Sequence, residues 1–217
     1  MGKLINMGGR YANADAVDNV IRYVTRTRSD EQRKEELQGY GGLGFFRYDT
    51  TETMIARFKA VQNAYGIGYR KGKRIFHEVF SITDREFEGI NCDMKLLNQI
   101  ALELCWEYYR QGFQVVYAIH WDKEKKLHIH FAVNAVSFMT GKKFITSKDG
   151  NNERERLFNG KLYCYCRMLH PENNWFCSPP VKREYYGYGH STLSFRIGPS
   201  PMQMPEKSIR KAVYFSE

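Results

Sequence analysis

The sequence predicts an α+β fold, with a central antiparallel sheet that carries a histidine cluster and with helices on the opposite face. Two apolar segments, FQVVYAIH and LHIHFAVNAV, flank the charged linker WDKEKK, and such a pair is typical of a β-hairpin. Residues 92–110 instead repeat their apolar side chains at helical spacing. A hairpin and a long amphipathic helix together indicate a sheet with helices packed on it.

The chain before this helix is predicted to alternate strands and helices. Residues 3–7 form a short strand, and Asp15 is placed to cap a helix that ends near residue 26. Residues 27–48 are rich in glycine and charge, so we expect a long mobile loop there. A second helix is predicted over residues 51–63.

A second strand is predicted over residues 74–82, and an extended tail ends the chain. The strand sequence RIFHEVFSI places His77, Val79 and Ser81 on one face, because strand side chains alternate with a period of two. After the hairpin, a helix is expected near residues 152–169. The remaining residues contain Pro179-Pro180 and scattered aromatics, a composition that favours an extended arm.

The charge balance favours a polyanionic partner. Lysine and arginine total 33 against 24 acidic residues, a formal net charge of +9, and aromatic residues make up 15% of the chain. Cations among aromatic rings suit nucleic acid better than a membrane surface. Apolar runs fall short of the ~20 residues that a membrane helix needs, and the N-terminus lacks a signal-peptide pattern. We therefore expect a cytoplasmic protein without membrane insertion, in which the five cysteines are reduced thiols.

Three histidines within eleven residues, His120, His128 and His130, predict a metal site. His128 and His130 share a strand face, and His120 ends the neighbouring strand. Pairing His120 with Leu127 would turn it to the other face, so a bulge or a longer loop is expected. Three neutral imidazoles leave positions open on Mn²⁺, Mg²⁺ or Zn²⁺, as in catalytic sites. Asp122 is expected to hydrogen-bond a ligand imidazole.

Other histidine-rich families fit the pattern less well. Histidine-triad hydrolases need a third alternating histidine, where this chain has Ala132, and cupins need a glutamate after the HxH pair. The HExxH motif of zinc metalloproteases is absent from the sequence. Of the histidine-rich families considered, the endonucleases of the His-hydrophobic-His type remain.

The string HWDKEKKLHIHFAVNAVSFMTGKKF resembles the three-histidine motif of conjugative relaxases, in particular the MobP-like mobilisation relaxases of the His-hydrophobic-His (HUH) endonuclease superfamily. The family's tyrosine-bearing helix is similar to NVIRYVTRTR, which nominates Tyr23 as the nucleophile. Its serine motif is similar to FHEVFSI, which nominates Ser81 as a DNA contact near the scissile phosphate. The resemblance covers roughly residues 15–146 in the family's order.

This resemblance implies a relaxase that nicks one DNA strand at an origin of transfer. Tyr23 would attack a phosphate polarised by a divalent metal and form a 5′-phosphotyrosyl link, since free tyrosine with a pKa near 10 is a weak nucleophile. Residues 1–148 would form the catalytic core, and residues 149–217 would pack on or clamp the DNA site. Basic residues near the motifs are expected to contact DNA: Arg22, Arg26, Arg28, Lys73, Arg74, Lys142 and Lys143.

The resemblance also implies the partners and the location. The DNA would be single-stranded at the origin of transfer, with an adjacent hairpin, and accessory relaxosome proteins and a type IV secretion coupling protein would assist. The protein would act in the bacterial cytoplasm and enter the recipient cell with the DNA. Two alternatives stay open, a rolling-circle replication initiator and a non-catalytic DNA-binding protein with a structural metal. Tyr11 is the next candidate nucleophile.

Overall fold

In the computed structural model, the described part of the chain forms a single sheet of five strands with five α-helices packed against it. The structure describes residues 1–28, 33–46, 48–66, 72–122, 124, 126–173 and 175. The strands are β1 (Lys3–Asn6), β2 (Leu37–Leu43), β3 (Ile75–Ile82), β4 (Val115–Trp121) and β5 (Leu127–Asn134). The helices are α1 (Ala16–Val24), α2 (Thr51–Ala64), α3 (Asp84–Glu88), α4 (Met94–Tyr109) and α5 (Lys148–Leu169).

The sheet has the order β1-β3-β5-β4-β2, and all of its neighbouring strands are antiparallel. This confirms the predicted α+β class and the central antiparallel sheet. Strand β5 is the middle strand, so its backbone is paired on both sides. A side chain on β5 is therefore held by the ladder on either side of it.

The two faces of the sheet carry different side chains. One, the core face, packs against α4 and α5 through large apolar residues such as Phe80, Ile129 and Phe131. The other, the histidine face, consists of positions 75, 77, 79 and 81 of β3, 116, 118 and 120 of β4, and 128, 130 and 132 of β5. Helices α1 and α2 pack on part of it, against Val116, Ala118 and Ala132. The helices expected opposite the histidines are thus present, and two more lie on the histidine face itself.

The predicted loop over residues 27–48 is wrong, because β2 lies within it. Strand β2 pairs with β4 along the edge of the sheet, from Leu37 opposite His120 to Leu43 opposite Val115. Glycine is required at position 42, where a Cβ atom would lie 2.3 Å from the Val115 carbonyl oxygen. The glycines that indicated a loop therefore allow close packing within a strand.

Helix α5 is an integral part of the core. It packs on the core face, where Phe158 and Leu162 are fully buried, and the Glu155 carboxylate accepts a hydrogen bond from the Leu4 backbone N–H at 2.9 Å. It therefore lies opposite the histidines, although the sequence placed residues 149–217 at the DNA site. The expected arm, with Pro179-Pro180, lies outside the described residues. None of the helices in the described part of the chain is long and apolar enough to span a membrane.

A buried ion pair ties α5 to the sheet. The Arg154 guanidinium donates to the Glu78 carboxylate at 2.8 Å, and the Tyr108 hydroxyl donates to the same carboxylate at 2.6 Å. The Glu78 side chain is fully buried and that of Arg154 is nearly so. Removing the guanidinium would leave a carboxylate in the core with one neutral donor.

We predict that Arg154→Met lowers the free energy of unfolding by about 3–5 kcal/mol, because the buried Glu78 carboxylate would lose its ion-pair partner. Urea unfolding followed by circular dichroism measures this. Arg110→Met is the matched control, since Arg110 is exposed in its pair with Glu107 and such pairs contribute about 0–1 kcal/mol. Similar losses in both variants would contradict the predicted role of the buried pair.

Candidate metal centre

The register of the β4–β5 hairpin brings His120 to the same face as His128 and His130. His120 pairs directly with His128 and Trp121 pairs with Leu127. The intervening loop is closed by a hydrogen bond from the Lys126 backbone N–H to Asp122 Oδ1 at 2.8 Å. The loop is therefore one residue longer than a pairing of His120 with Leu127 would allow, which is the second of the two predicted alternatives, a bulge or a longer loop. Since that single residue decides the face, these three histidines meet without a bulge.

One ring nitrogen of each histidine lies within 4.8 Å of a ring nitrogen of the other two. The ring centroids of His120 and His130 are 4.3 Å apart, and those of His128 and His130 are 4.8 Å apart. His120 and His130 are buried, and His128 is half-buried at the edge of the site. Three converging imidazoles would leave coordination positions of a metal ion unfilled, which is the form of a catalytic metal centre.

Hydrogen bonds to backbone carbonyls orient two of the three rings. His120 Nε2 lies 2.7 Å from the Val24 carbonyl oxygen, and His128 Nδ1 lies 3.1 Å from the Lys126 carbonyl oxygen. A carbonyl only accepts, so both nitrogens carry the proton when the rings are neutral. The lone pairs then reside on His120 Nδ1 and His128 Nε2. The His120 Nδ1 lone pair accepts a hydrogen bond from the Arg26 guanidinium at 3.3 Å, and a metal bound at this atom would replace that bond.

Burial keeps these rings neutral at physiological pH. It lowers the pKa of His120 to about 3, lowers that of His128, and lowers that of His130 well below 6.5. The neighbouring histidines and the Arg26 guanidinium act in the same direction. A neutral imidazole is the form that binds a metal ion, so a cation does not have to displace protons from the site.

His130 supplies the clearest test of whether a metal fits. Its Nε2 is buried and has no hydrogen-bond partner within the described residues. A buried nitrogen left in this state costs free energy, and a bound cation would satisfy it. The donor set of three imidazoles suits a divalent transition metal and leaves room for oxygen ligands, so the residues fit the predicted divalent metal.

Helix α1 places Tyr23 against the histidine group. The Tyr23 ring meets the rings of His130, His77 and His120 edge-on, with centroids 5.7, 6.0 and 6.4 Å away. Short side chains on the sheet, Ala118 and Ala132, lie under the helix. The ring is half-buried and not enclosed in the core. The predicted nucleophile thus lies beside the predicted metal ligands.

Two arginines flank the Tyr23 ring. The guanidinium carbons of Arg26 and Arg28 lie 5.0 and 5.4 Å from its centroid. Arg26 follows α1 in a left-handed conformation, with φ +52°, which turns its side chain back into the protein. There it pairs with Glu36 at 2.6 Å and lies 3.3 Å from His120 Nδ1. Arg28 is exposed at the surface of the site.

A fourth histidine, His77, belongs to the group. Its Nε2 lies 2.8 Å from His130 Nδ1, and its Nδ1 lies 3.4 Å from the Tyr11 hydroxyl. Burial lowers the pKa of His77 to about 4. The period of two already placed His77 on the face of Ser81, but no sequence motif joined β3 to the hairpin. His77 was assigned no role in the site from the sequence, and Tyr11 was named only as the next candidate nucleophile.

Asp122 does not play the predicted part. Its carboxylate accepts the Lys126 backbone N–H, and the ligand imidazoles of His120 and His128 donate to backbone carbonyls instead. Asp122 therefore shapes the hairpin loop. Its negative charge raises the pKa of His128, in opposition to the larger effect of burial.

Ser81 lies near the site, directly opposite His128 in the β3–β5 ladder. Its hydroxyl oxygen accepts the Lys3 backbone N–H at 3.1 Å. The contact of Ser81 with DNA stays a prediction, and the present partner of its hydroxyl belongs to β1.

The predicted basic residues are only partly gathered at the site. Arg22 pairs with Glu52 on the surface. Lys143 pairs with Val136, six residues beyond His130 along the chain, which is about 20 Å at the rise of a strand. Lys142, Lys73 and Arg74 lie toward that same end of the sheet. The structure thus places Arg26 and Arg28 at the histidines and the others away from them.

A family model described as "Relaxase: MobA/VirD2-like, nuclease domain" matches residues 23–160. That span is more than half of the chain and includes Tyr23 and the three histidines. The chain belongs to this relaxase family. The resemblance drawn from the motifs is thereby confirmed, and membership of the family implies a DNA-nicking endonuclease domain.

Among solved structures, this relaxase chain is similar to the MobM relaxase domain, determined with Mn and bound to the oriT DNA of plasmid pMV158. The two are 13% identical, the TM-score is 0.47, and the alignment covers 77% of this chain and 86% of that one. No curated protein matches the sequence.

The neutral histidines predict a loss of stability as the pH falls. The unfolded chain protonates His120 near pH 6.5, whereas the folded chain does so near pH 3. The unfolded state therefore binds more protons below about pH 6.5, and the stability contributed by the neutral ring declines between these values. Urea unfolding without metal should show a shallower decline from pH 7 to pH 4.5 in His120→Gln than in the wild type. His170→Gln, outside the cluster, is the control, and identical slopes in all three proteins would refute the prediction.

Proposed function

We propose that this relaxase nicks one strand of DNA at an origin of transfer by attack of Tyr23 on the scissile phosphate. The observation that carries the proposal is the edge-on contact of the Tyr23 ring with His120 and His130, the two buried members of the three-histidine group. A hydrolytic nuclease would need no tyrosine at this position. A purely structural metal site would not need a tyrosine beside its ligands.

His120, His128 and His130 would hold the metal. A divalent cation bound there would neutralise charge on the non-bridging phosphate oxygens and orient the phosphate. The Tyr23 ring contacts His120 and His130, and Arg28 is exposed beside that ring, so the phosphate would bind on this side of the histidines. Mn²⁺ and Mg²⁺ are the cations we favour, and Zn²⁺ also suits imidazole ligands.

The chemical step is a transesterification at phosphorus. The Tyr23 hydroxyl loses its proton to water or a nearby base, and its oxygen forms a bond to phosphorus. The bond between phosphorus and the 3′ oxygen breaks, and this oxygen takes up a proton to leave a free 3′-OH. The 5′-phosphotyrosyl link conserves the energy of the phosphodiester, so that the strand can later be rejoined.

Positive side chains near Tyr23 would hold the DNA strand. Arg28 is exposed beside the ring and can reach a phosphate. The Arg26 guanidinium is buried in its pair with Glu36 and adds positive charge beside His120 without contacting the strand. Each contact with a phosphate would add to the salt dependence of the affinity, so that binding weakens as the salt concentration increases. The substrate would be single-stranded DNA with an adjacent hairpin, and the net charge of +9 suits this polyanion.

The wider biological role follows from this chemistry as part of the same proposal. A covalently attached protein can accompany the nicked strand during conjugation of a plasmid or an integrative element. Accessory relaxosome proteins and a type IV secretion coupling protein would deliver both to the recipient. A rolling-circle initiator is the second candidate, although such proteins usually carry their tyrosine after the histidines, and Tyr23 precedes them.

We predict that Tyr23→Phe abolishes covalent attachment to DNA. The protein is mixed with Mn²⁺ and labelled single-stranded oligonucleotides that tile the DNA around its own gene, and a denaturing gel is read for a protein–DNA adduct. The phenyl ring keeps the packing on the histidines but lacks the attacking oxygen. Tyr65→Phe is the matched control, because Tyr65 bonds the Phe138 carbonyl at the far end of the sheet, and it should form the adduct normally.

Other outcomes would change the proposal in defined ways. An adduct that survives in Tyr23→Phe and disappears in Tyr11→Phe would move the nucleophile to Tyr11. Cleavage without any adduct would indicate a hydrolytic metal nuclease. DNA binding that is unaffected by Mn²⁺ and accompanied by no cleavage would favour the non-catalytic alternative.

A further inference from the structure

His77 and Tyr11 extend the histidine group beyond His130. His77 is only 3% exposed, and both of its ring nitrogens have partners, His130 Nδ1 at 2.8 Å and the Tyr11 hydroxyl at 3.4 Å. His77 lies on the same face of the sheet as His130 but is not its ladder partner, since Val79 lies opposite His130. The His77–His130 contact therefore joins side chains at diagonal positions of the neighbouring strands β3 and β5.

The loop that carries Tyr11 is held over the start of β3. The Arg74 backbone N–H donates to the Tyr11 carbonyl at 2.9 Å, and the Arg74 guanidinium donates to the Ala12 carbonyl at 3.3 Å. Tyr11 has a left-handed backbone, with φ +42°, a conformation that costs free energy for a residue other than glycine. The fold thus holds the Tyr11 hydroxyl beside His77 despite this cost.

The protons of the two hydrogen bonds that join Tyr11, His77 and His130 can be arranged in two ways. In one, the Tyr11 hydroxyl donates to His77, His77 Nε2–H donates to His130 Nδ1, and the only proton of neutral His130 lies on Nε2. In the other, His130 Nδ1–H donates to His77 Nε2, and His77 Nδ1–H donates to Tyr11. Only the second direction leaves a lone pair on His130 Nε2, the buried nitrogen without a partner in the described residues.

We propose that His77 is a positioning residue that holds His130 in the tautomer whose Nε2 lone pair faces the metal. Tyr11 is the terminal acceptor that supports this state. The arrangement corresponds to the hydrogen-bonded partners that orient metal-bound histidines, here supplied by another histidine and a tyrosine. The inference rests on the metal site of the proposed function and is independent of the attack by Tyr23.

The test measures Mn²⁺ affinity in the absence of DNA, with the full chain and a competing fluorescent chelator. His77→Phe removes the acceptor, and we expect Mn²⁺ to bind about 10–100-fold more weakly, the range for loss of such partners. His77→Gln carries an amide oxygen at the level of Nε2 and should remain within about threefold of the wild type. Tyr11→Phe removes one neutral hydrogen bond and should cost about threefold to tenfold.

A second pair of variants guards against a merely structural effect. If His77→Phe does not fold, as judged by circular dichroism, His77→Asn replaces it in the comparison. Asparagine places its amide at the level of Nδ1 and falls short of His130, so it should bind Mn²⁺ as weakly as expected for His77→Phe while His77→Gln binds well. Equal affinity of His77→Asn and His77→Gln would overturn the proposal.

A spectroscopic measurement reads the tautomer directly. Nitrogen-15 spectra of the histidine-labelled wild type loaded with diamagnetic Zn²⁺ should show the protons of His130 and His77 on Nδ1 in both rings. A proton on His77 Nε2, or ligation through His130 Nδ1, would refute the proposed direction. Wild-type protein that binds neither Mn²⁺ nor Zn²⁺ would overturn the metal site as well, whereas tight metal binding without DNA cleavage would overturn only the proposed function.

Discussion

The antiparallel register between β4 and β5 is the constraint on which the rest of the site depends. With His120 opposite His128, three imidazoles share one face of the sheet; a shift by one residue would turn His120 into the apolar core. The register is supported by the apolar residues that alternate with the histidines, since Ile119 and Ile129 are fully buried on the core face. Core packing and metal geometry therefore select the same pairing.

Burial on the histidine face has a chemical consequence. Helix α1 covers part of this face, removes the histidines from water and so holds them in the neutral form. The same helix contributes the Val24 carbonyl that orients His120 and the Tyr23 ring that meets the cluster. One element thus supplies ligand protonation state, ligand orientation and the proposed nucleophile. Because α1 packs on the histidine face, Tyr23 lies beside the histidines in space although it precedes them in the chain.

Much of the fold could be predicted from local pattern. The two apolar segments around a charged linker predicted β4 and β5, and the period of two fits β3. The sequence also predicted α1, α2 and α4 to within a few residues. Strand β2 could not be found in this way, because its Gly39, Gly41 and Gly42 are loop formers whose use in an edge strand depends on the packing of β4.

The site was predictable where residues lie close in sequence and unpredictable where they converge from distant elements. His128 and His130 share a face because of their spacing alone. The partnership of His77 with His130, 53 residues later, depends on β3 pairing with β5, which no local pattern encodes. Asp122 shows the converse: it is close to His120 in sequence, but the geometry of the loop turns its carboxylate to the Lys126 backbone.

The most direct test of the account is anomalous X-ray diffraction from crystals of the full chain grown with Mn²⁺. The account predicts one strong manganese peak within coordination distance of His120 Nδ1, His128 Nε2 and His130 Nε2, with its open side toward the Tyr23 hydroxyl. A peak bound elsewhere, or no peak at these nitrogens at millimolar Mn²⁺, would contradict the claim that the hairpin register builds a metal centre for this relaxase.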